Sequence, residues 1–163
     1  MKTLVVVAGP TASGKTAFSI ALAKALHTVV ISADSRQFYK EMRIGTAAPT
    51  LEELNEVTHY KVHNISINDK YDVAEYEKEV LTLLDELFAT HDQVILTGGS
   101  GLFIDAVCHG IDAIPDVADE TRTKVENLYK EGGLMALQNE VQRLDPDYYA
   151  IVDTQNPRRL QRA

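Results

Sequence analysis

Positive charge, cysteine and long apolar runs are all scarce in this chain, and each shortage excludes something. With Cys108 as the single cysteine, no disulfide can form within the chain. A lone thiol suits a reducing compartment and reads as a small buried hydrophobe. No apolar run approaches the roughly 20 residues that would span a bilayer. The N-terminus "MKTLVVVAGP" passes straight into a glycine loop without the length or cleavage site of a secretory leader, so a cytoplasmic location is expected. Internal repeats and low-complexity segments are absent. The net charge is −8, which argues against a broad nucleic-acid footprint and leaves room only for a local basic cluster. At 163 residues there is enough chain for one domain and part of a second, with a core that folds without staples.

What is present alternates between two periods. "TLVVVAG" (3–9), "TVVISAD" (28–34) and "QVILTGG" (93–99) are continuous apolar runs, the pattern of strands buried on both faces of a parallel sheet. Thr16, Ile20, Ala23 and Leu26 recur at helical spacing. Val73, Tyr76, Val80, Leu83, Leu84, Leu87 and Phe88 do the same over 73–88. Strands alternating with helices predict an α/β fold of the P-loop NTPase type, a doubly wound parallel sheet whose ligands bind beyond the carboxyl ends of the strands. Gly9, Asp34 and Gly98 all fall at that edge.

After "HGIDAIPD" the texture turns acidic and helical. Val125 and Leu128, then Leu134, Leu137, Val141 and Leu144, predict amphipathic helices broken at Gly132-Gly133 and at Asp145-Pro146. Asn156-Pro157 reads as an N-cap followed by proline in the first turn of another helix. The organisation predicted is a core over 1–112 and a helical appendage over 113–163. The last helix is cut short about two turns in, so a shortened chain is expected.

Gly9, Pro10, Thr11, Ala12, Ser13, Gly14, Lys15 and Thr16 fit the phosphate-loop pattern G-x-x-x-x-G-K-[S/T] without a gap. Glycines let backbone amides converge on phosphate oxygens, and the helix that follows adds its N-terminal dipole. Lys15 brings a full charge to the terminal phosphate, and the Thr16 hydroxyl is placed to ligate Mg²⁺. ATPases and GTPases also carry an apolar strand ending in a metal-ordering aspartate. Here the third strand ends on Thr97-Gly98-Gly99, and the acid sits on the second strand as Asp34. Position alone leaves Asp34 open between a general base facing the loop and a helix cap or outer metal contact. Ser35, Arg36 and Gln37 beside it add hydrogen-bonding groups where a loop would grip a substrate.

"GPTASGKT", "ISADSRQFY", "IGTAAP" (44–49), "VILTGGSGLFIDAV" and "NPRRLQRA" occur in an order that resembles the tRNA isopentenyltransferase, or tRNA dimethylallyltransferase, family. The likeness covers nearly the whole chain. "GPTASGKT" is shared by many P-loop proteins, whereas "ADSRQ" followed by an aromatic pair and "IGTA" is specific. The resemblance implies transfer of a dimethylallyl group from its diphosphate to N6 of the adenosine beside the anticodon of tRNA. It implies dimethylallyl diphosphate and the anticodon stem-loop as partners, Mg²⁺ as cofactor, and a monomer with no membrane attachment. The loop Gly9 to Thr16 would then hold a diphosphate that leaves. Lys15, Mg²⁺ and the loop amides would stabilise the charge it develops. Asp34 would take the amine proton, and the acceptor base would be flipped out of its stack. Asp34, Ser35, Arg36 and Gln37 match one tRNA-contacting segment of the family, and Arg158, Arg159, Leu160, Gln161 and Arg162 match another. Ser100 stands where the family's G-G-T-G turn has threonine, which keeps the hydroxyl, and joins Asp34 and Lys15 as the expected catalytic set.

Two features depart from the family. Where many members read H-H-L-I-D-I, this chain has "THYKVHNI" (58–65). His59 and His63 lack an acid or third ligand and are read as ordinary loop histidines. Members of the family are also nearly twice as long. Besides the transferase, the phosphate loop alone admits a small-molecule kinase or a nucleotide-gated binding module. Prenyl transfer to a free adenine nucleotide is a variant of the first reading.

Overall fold

The computed structural model describes residues 1–111 and 117–163. Asp112 and Asp116, part of the acidic stretch, lie outside the described residues, as does the expected boundary at 112–113. The chain divides into two compact units, Met1–Asp112 and Ala113–Ala163.

The large unit runs β1 (Thr3–Ala8), α1 (Lys15–Leu26), β2 (Val30–Ser32), α2 (Leu51–Glu56), β3 (His59–Tyr60), α3 (Val73–Phe88), β4 (Gln93–Gly98) and α4 (Gly101–His109). All four strands are parallel, in the order β1-β4-β2-β3. Parallel neighbours need crossovers, and helices supply them on both faces. Along β4 the side chains alternate: Val94 and Leu96 join the cluster packed under α3 and α4, and Ile95 joins the cluster under α1. This is the doubly wound α/β architecture.

β2 and the centre of β4 are buried as the apolar runs predict. β1 is not. It pairs on one side only, with β4, and its residues are half-buried or exposed, Val6 being 39% exposed. Cys108 also corrects the expectation of burial. It is exposed on α4, outside the face made by Ile104, Ala106 and Val107.

Local signals explain the helix boundaries. Asp72 caps α3, its carboxylate accepting from the amides of Ala74 and Glu75 at 2.9 and 3.0 Å. α2 opens on a reciprocal capping box between Thr50 and Glu53. In the small unit, α5 (Asp119–Leu144) kinks at Gly133, whose φ of 64° and ψ of −160° leave the helical region, and α6 (Pro146–Ile151) begins on a proline capped by Asp145. α7 (Pro157–Leu160) is capped by Asn156, which accepts from the Arg159 amide at 3.3 Å. Leu137, Val141 and Leu160 form this unit's own core.

Candidate active site

The carboxyl ends of β1, β2 and β4 converge. The phosphate loop leaves β1 and returns as α1, with Ala12 at φ 64° and Gly14 at φ 83°. Left-handed residues interrupting a loop turn successive amides toward one point, which makes an anion nest. Beyond it the first amides of α1 have no partner within the helix. Lys15 is half-buried, and its ammonium donates to the Pro10 carbonyl of its own loop.

β4 closes against the other two strands through its glycines. The Gly9 amide donates to the Gly98 carbonyl at 3.4 Å. A methyl on Gly98 would lie 2.3 Å from the Ala33 carbonyl oxygen, so only glycine fits between the ends of β4 and β2. A methyl on Gly99 would lie 3.5 Å from the Gly9 carbonyl and 3.6 Å from an Asp34 carboxylate oxygen. The phosphate loop, the turn after β4 and Asp34 are therefore immediate neighbours.

The turn after β2 is held from below. Phe38, 1% exposed, stacks on Tyr76 with ring centroids 5.1 Å apart and meets Phe103 and Tyr71 edge-on. The Tyr76 hydroxyl donates to the Ser32 carbonyl at 2.8 Å. Burial, with a smaller contribution from Cys108, pushes that phenol well above its ordinary value, so it serves as a neutral donor. With Phe38 anchored, the half-buried Asp34 lies at the rim, its carboxylate accepting from the Arg36 amide at 3.2 Å. Ser100 bridges to the same turn: its hydroxyl accepts from the Ser35 amide at 3.0 Å and donates to the Ser35 hydroxyl at 3.2 Å.

Two cavities meet at this rim. One, of about 350 Å³, is lined by Thr11, Gly14, Lys15, Thr16 and Asp34 among others. The second, of about 370 Å³, is lined by Thr11, Asp34, Ser35, Arg36 and Ser100 together with Gly45, Thr46 and Gly99. Asp34 and Thr11 border both. Such an arrangement can hold a phosphorylated group on one side of a carboxylate and an acceptor on the other.

The expected site residues of the large unit are thus brought together, with one difference in kind. Arg36 is exposed, but the Gln37 side chain is 9% exposed and already hydrogen-bonded inside the protein. In the small unit Arg158, Arg159 and Arg162 are exposed, Gln161 is half-buried, and Leu160 is a core residue at 2% exposure. The His59 ring contacts the Val57 carbonyl at 2.8 Å, and the buried His63 Nε2 has no partner among the described residues. Sequence reasoning placed Tyr76 on the helical face of 73–88 but did not reveal that it packs with Phe38 and Phe103 behind the turn after β2. Tyr76 on the apolar face of α3 was the signal available.

A family model described as IPP transferase matches residues 37–163. The chain belongs to the IPP transferase family. Its relatives include tRNA dimethylallyltransferase 1 of Bacteroides thetaiotaomicron, 51% identical over 160 residues that make up 98% of this chain and 52% of that protein. The tRNA dimethylallyltransferase of Flavobacterium psychrophilum is 50% identical over 99% of this chain and 52% of its own length. Among solved structures, the full-length tRNA isopentenylpyrophosphate transferase of Bacillus halodurans superposes with a TM-score of 0.66 at 34% identity, over 99% of this chain and 54% of that one. A eukaryotic dimethylallyltransferase acting on tRNA superposes at 0.80 over 99% of this chain and 40% of its own, and at 23% identity it speaks for the fold. The chain spans about half the length of the curated relatives it matches. None of these IPP transferase relatives is named a kinase, so the kinase alternative gains no support. Among the described residues no helix is long and apolar enough to cross a membrane.

Proposed function

We propose that this chain carries the donor site and the base of a tRNA dimethylallyltransferase. The observation that supports this most is the position of Asp34 on the border between the phosphate-loop cavity and the cavity lined by Ser35, Arg36 and Ser100. In the proposed reaction the diphosphate of dimethylallyl diphosphate occupies the first cavity. The bond from the allylic carbon to oxygen breaks, and diphosphate leaves with the bonding electrons. The N6 amine of an adenosine in the second cavity forms the new carbon–nitrogen bond, and its proton passes to the Asp34 carboxylate. Lys15 and the loop amides take up the charge on the leaving group. Ser100 and Ser35, bonded to each other, hold the second cavity's wall.

A divalent cation fits the donors present. The half-buried Thr16 hydroxyl lines the phosphate-loop cavity and is a hard oxygen ligand of the kind Mg²⁺ prefers. When bound, Mg²⁺ would neutralise diphosphate charge. The small unit would contribute acceptor binding through Arg158, Arg159 and Arg162, a local positive cluster in a chain of net charge −8. The cytoplasm is the expected setting.

Calorimetric titration of dimethylallyl diphosphate and, separately, ATP into this chain with Mg²⁺ tests the reading. Tighter binding of the allylic diphosphate is expected. Tighter binding of ATP would overturn it in favour of phosphoryl transfer.

A further inference from the structure

Gln37 borders the phosphate-loop cavity beside Asp34, yet it is 9% exposed. Every hydrogen-bonding group it has is engaged within the large unit. Its amide donates to the Asp34 carbonyl at 2.9 Å, and its carbonyl accepts from the His63 amide at 2.8 Å. In the side chain, Oε1 accepts from the Ser32 hydroxyl at 3.0 Å, and Nε2 donates to the carbonyls of Ala47 and Thr46 at 3.0 and 3.4 Å. Two carbonyls can only accept, so the amide nitrogen must face them and its orientation is fixed. The Ser32 hydroxyl in turn accepts from the Asp34 amide at 3.3 Å while its own proton goes to the Gln37 Oε1, which can only accept. A directional chain therefore runs from the backbone of Asp34 through Ser32 and Gln37 to residues 46 and 47.

Those two residues belong to a wall with little structure of its own. Residues 44–50 form no helix or strand, and Gly45 and Ala47 stand at φ 78° and 49°. Ala47 lines the phosphate-loop cavity, while Gly45 and Thr46 line the second cavity. The remaining side-chain bonds in this segment are local, from the Thr46 hydroxyl to the Met42 carbonyl at 2.9 Å and between Thr50 and Glu53 at the start of α2. An alanine at positive φ costs about 1 kcal/mol or more, so this backbone needs an external hold.

We infer that Gln37 is a positioning residue that latches the 44–49 loop to the end of β2, so that the wall of both cavities and the Asp34 backbone are held as one assembly. The inference rests on the donor-site reading for the meaning of the cavities, but the latch can be tested apart from it.

Gln37→Glu keeps the shape and, when ionised, has no hydrogen for either carbonyl. When protonated it regains one donor. Buried against two carbonyl oxygens, that carboxyl titrates above the usual carboxylate range. The first readout is trypsin cleavage after the exposed Arg43, beside the loop, at pH 8. Gln37→Glu and Gln37→Met are each expected to be cut about tenfold faster than the parent chain. The second is the dissociation constant for inorganic pyrophosphate with Mg²⁺, taken as variant over parent at pH 8 and at pH 5.5. For Gln37→Glu the ratio is expected to be about tenfold at pH 8 and to fall toward one at pH 5.5, while Gln37→Met stays weak at both. Cleavage at the parent rate in both variants would overturn the latch, as would a Gln37→Glu ratio independent of pH. If the parent itself fails to bind pyrophosphate, the donor-site reading falls and the trypsin rates still decide the latch. If Gln37→Glu does not fold, Gln37→Met decides by the same cleavage.

Discussion

β1 and β4 stand side by side in one register and carry the two arms of the same site, yet they are built differently. β4 is bonded along both edges, to β1 and β2, and its central Val94, Ile95 and Leu96 are fully buried. β1 is bonded along one edge, half-exposed, and continues into a phosphate loop whose residues 10–14 are exposed. The β4 arm meets β2 through a contact that tolerates no side chain, whereas the β1 arm leaves its amides free. The part of the difference that bears on rigidity is the close approach of β4 to β2, since the open side of β1 is that of a chain spanning about half the length of its relatives. In the proposed reaction Asp34 and the turn after β4 keep fixed positions relative to each other, while an anion nest works only if its donors stay uncommitted.

The largest effect should come from filling the contact on the rigid side. Gly98→Ala puts a methyl 2.3 Å from the Ala33 oxygen, a backbone atom that cannot turn away. It should destabilise the large unit by about 3 kcal/mol or more in urea denaturation. Gly101→Ala is the matched control. A methyl there meets nothing within 4 Å, and alanine favours the start of α4, so stability should hold or rise slightly. Equal losses in the two would show that the close approach of β4 to β2 carries no special strain.

The next effect separates the strands themselves. Leu96→Ala empties a fully buried position in β4 and should cost about 2–5 kcal/mol. Val6→Ala removes a side chain that is 39% exposed and should cost about 1 kcal/mol or less. Comparable costs would mean that β1 is covered as thoroughly as β4, and the contrast between the two arms would disappear.

How much of this was legible in advance follows the range of each interaction. The phosphate loop, α3, the kink at Gly133 and the cap at Asn156 are set by residues a few positions apart, and each reads directly from spacing. Asp34 could be placed at the sheet edge because strand ends are local too. The partial exposure of β1 could not be read, because burial depends on what lies beside a strand, which its own residues do not encode. The role of Gln37 was hidden for a related reason. A polar residue in a substrate-facing motif invites a contact role, and only the distances to Ser32, Thr46 and Ala47 reveal that its amide is spent internally. α2 is a different case, since its Thr50–Glu53 capping box was open to a local reading that did not use it.

The smallest expected effect probes the support behind the rigid arm. The His63 backbone amide donates to the Gln37 carbonyl at 2.8 Å, while its side chain is half-buried, with a buried Nε2 that has no partner among the described residues. Burial, with the Arg43 charge a second cause, holds its pKa below the ordinary 6.5. The unfolded chain then binds the proton more readily than the folded one. Stability is unaffected by this group above about pH 6.5 and declines as pH falls from there toward the folded pKa. His63→Asn removes the titration and keeps a residue that accepts the φ of 49° found here. Urea midpoints at pH 7.5 and 5.5 should therefore draw closer together in the variant than in the parent. An unchanged gap would mean that His63 takes up its proton without cost, and that the segment bonded to Gln37 yields more easily than the β4 arm it supports.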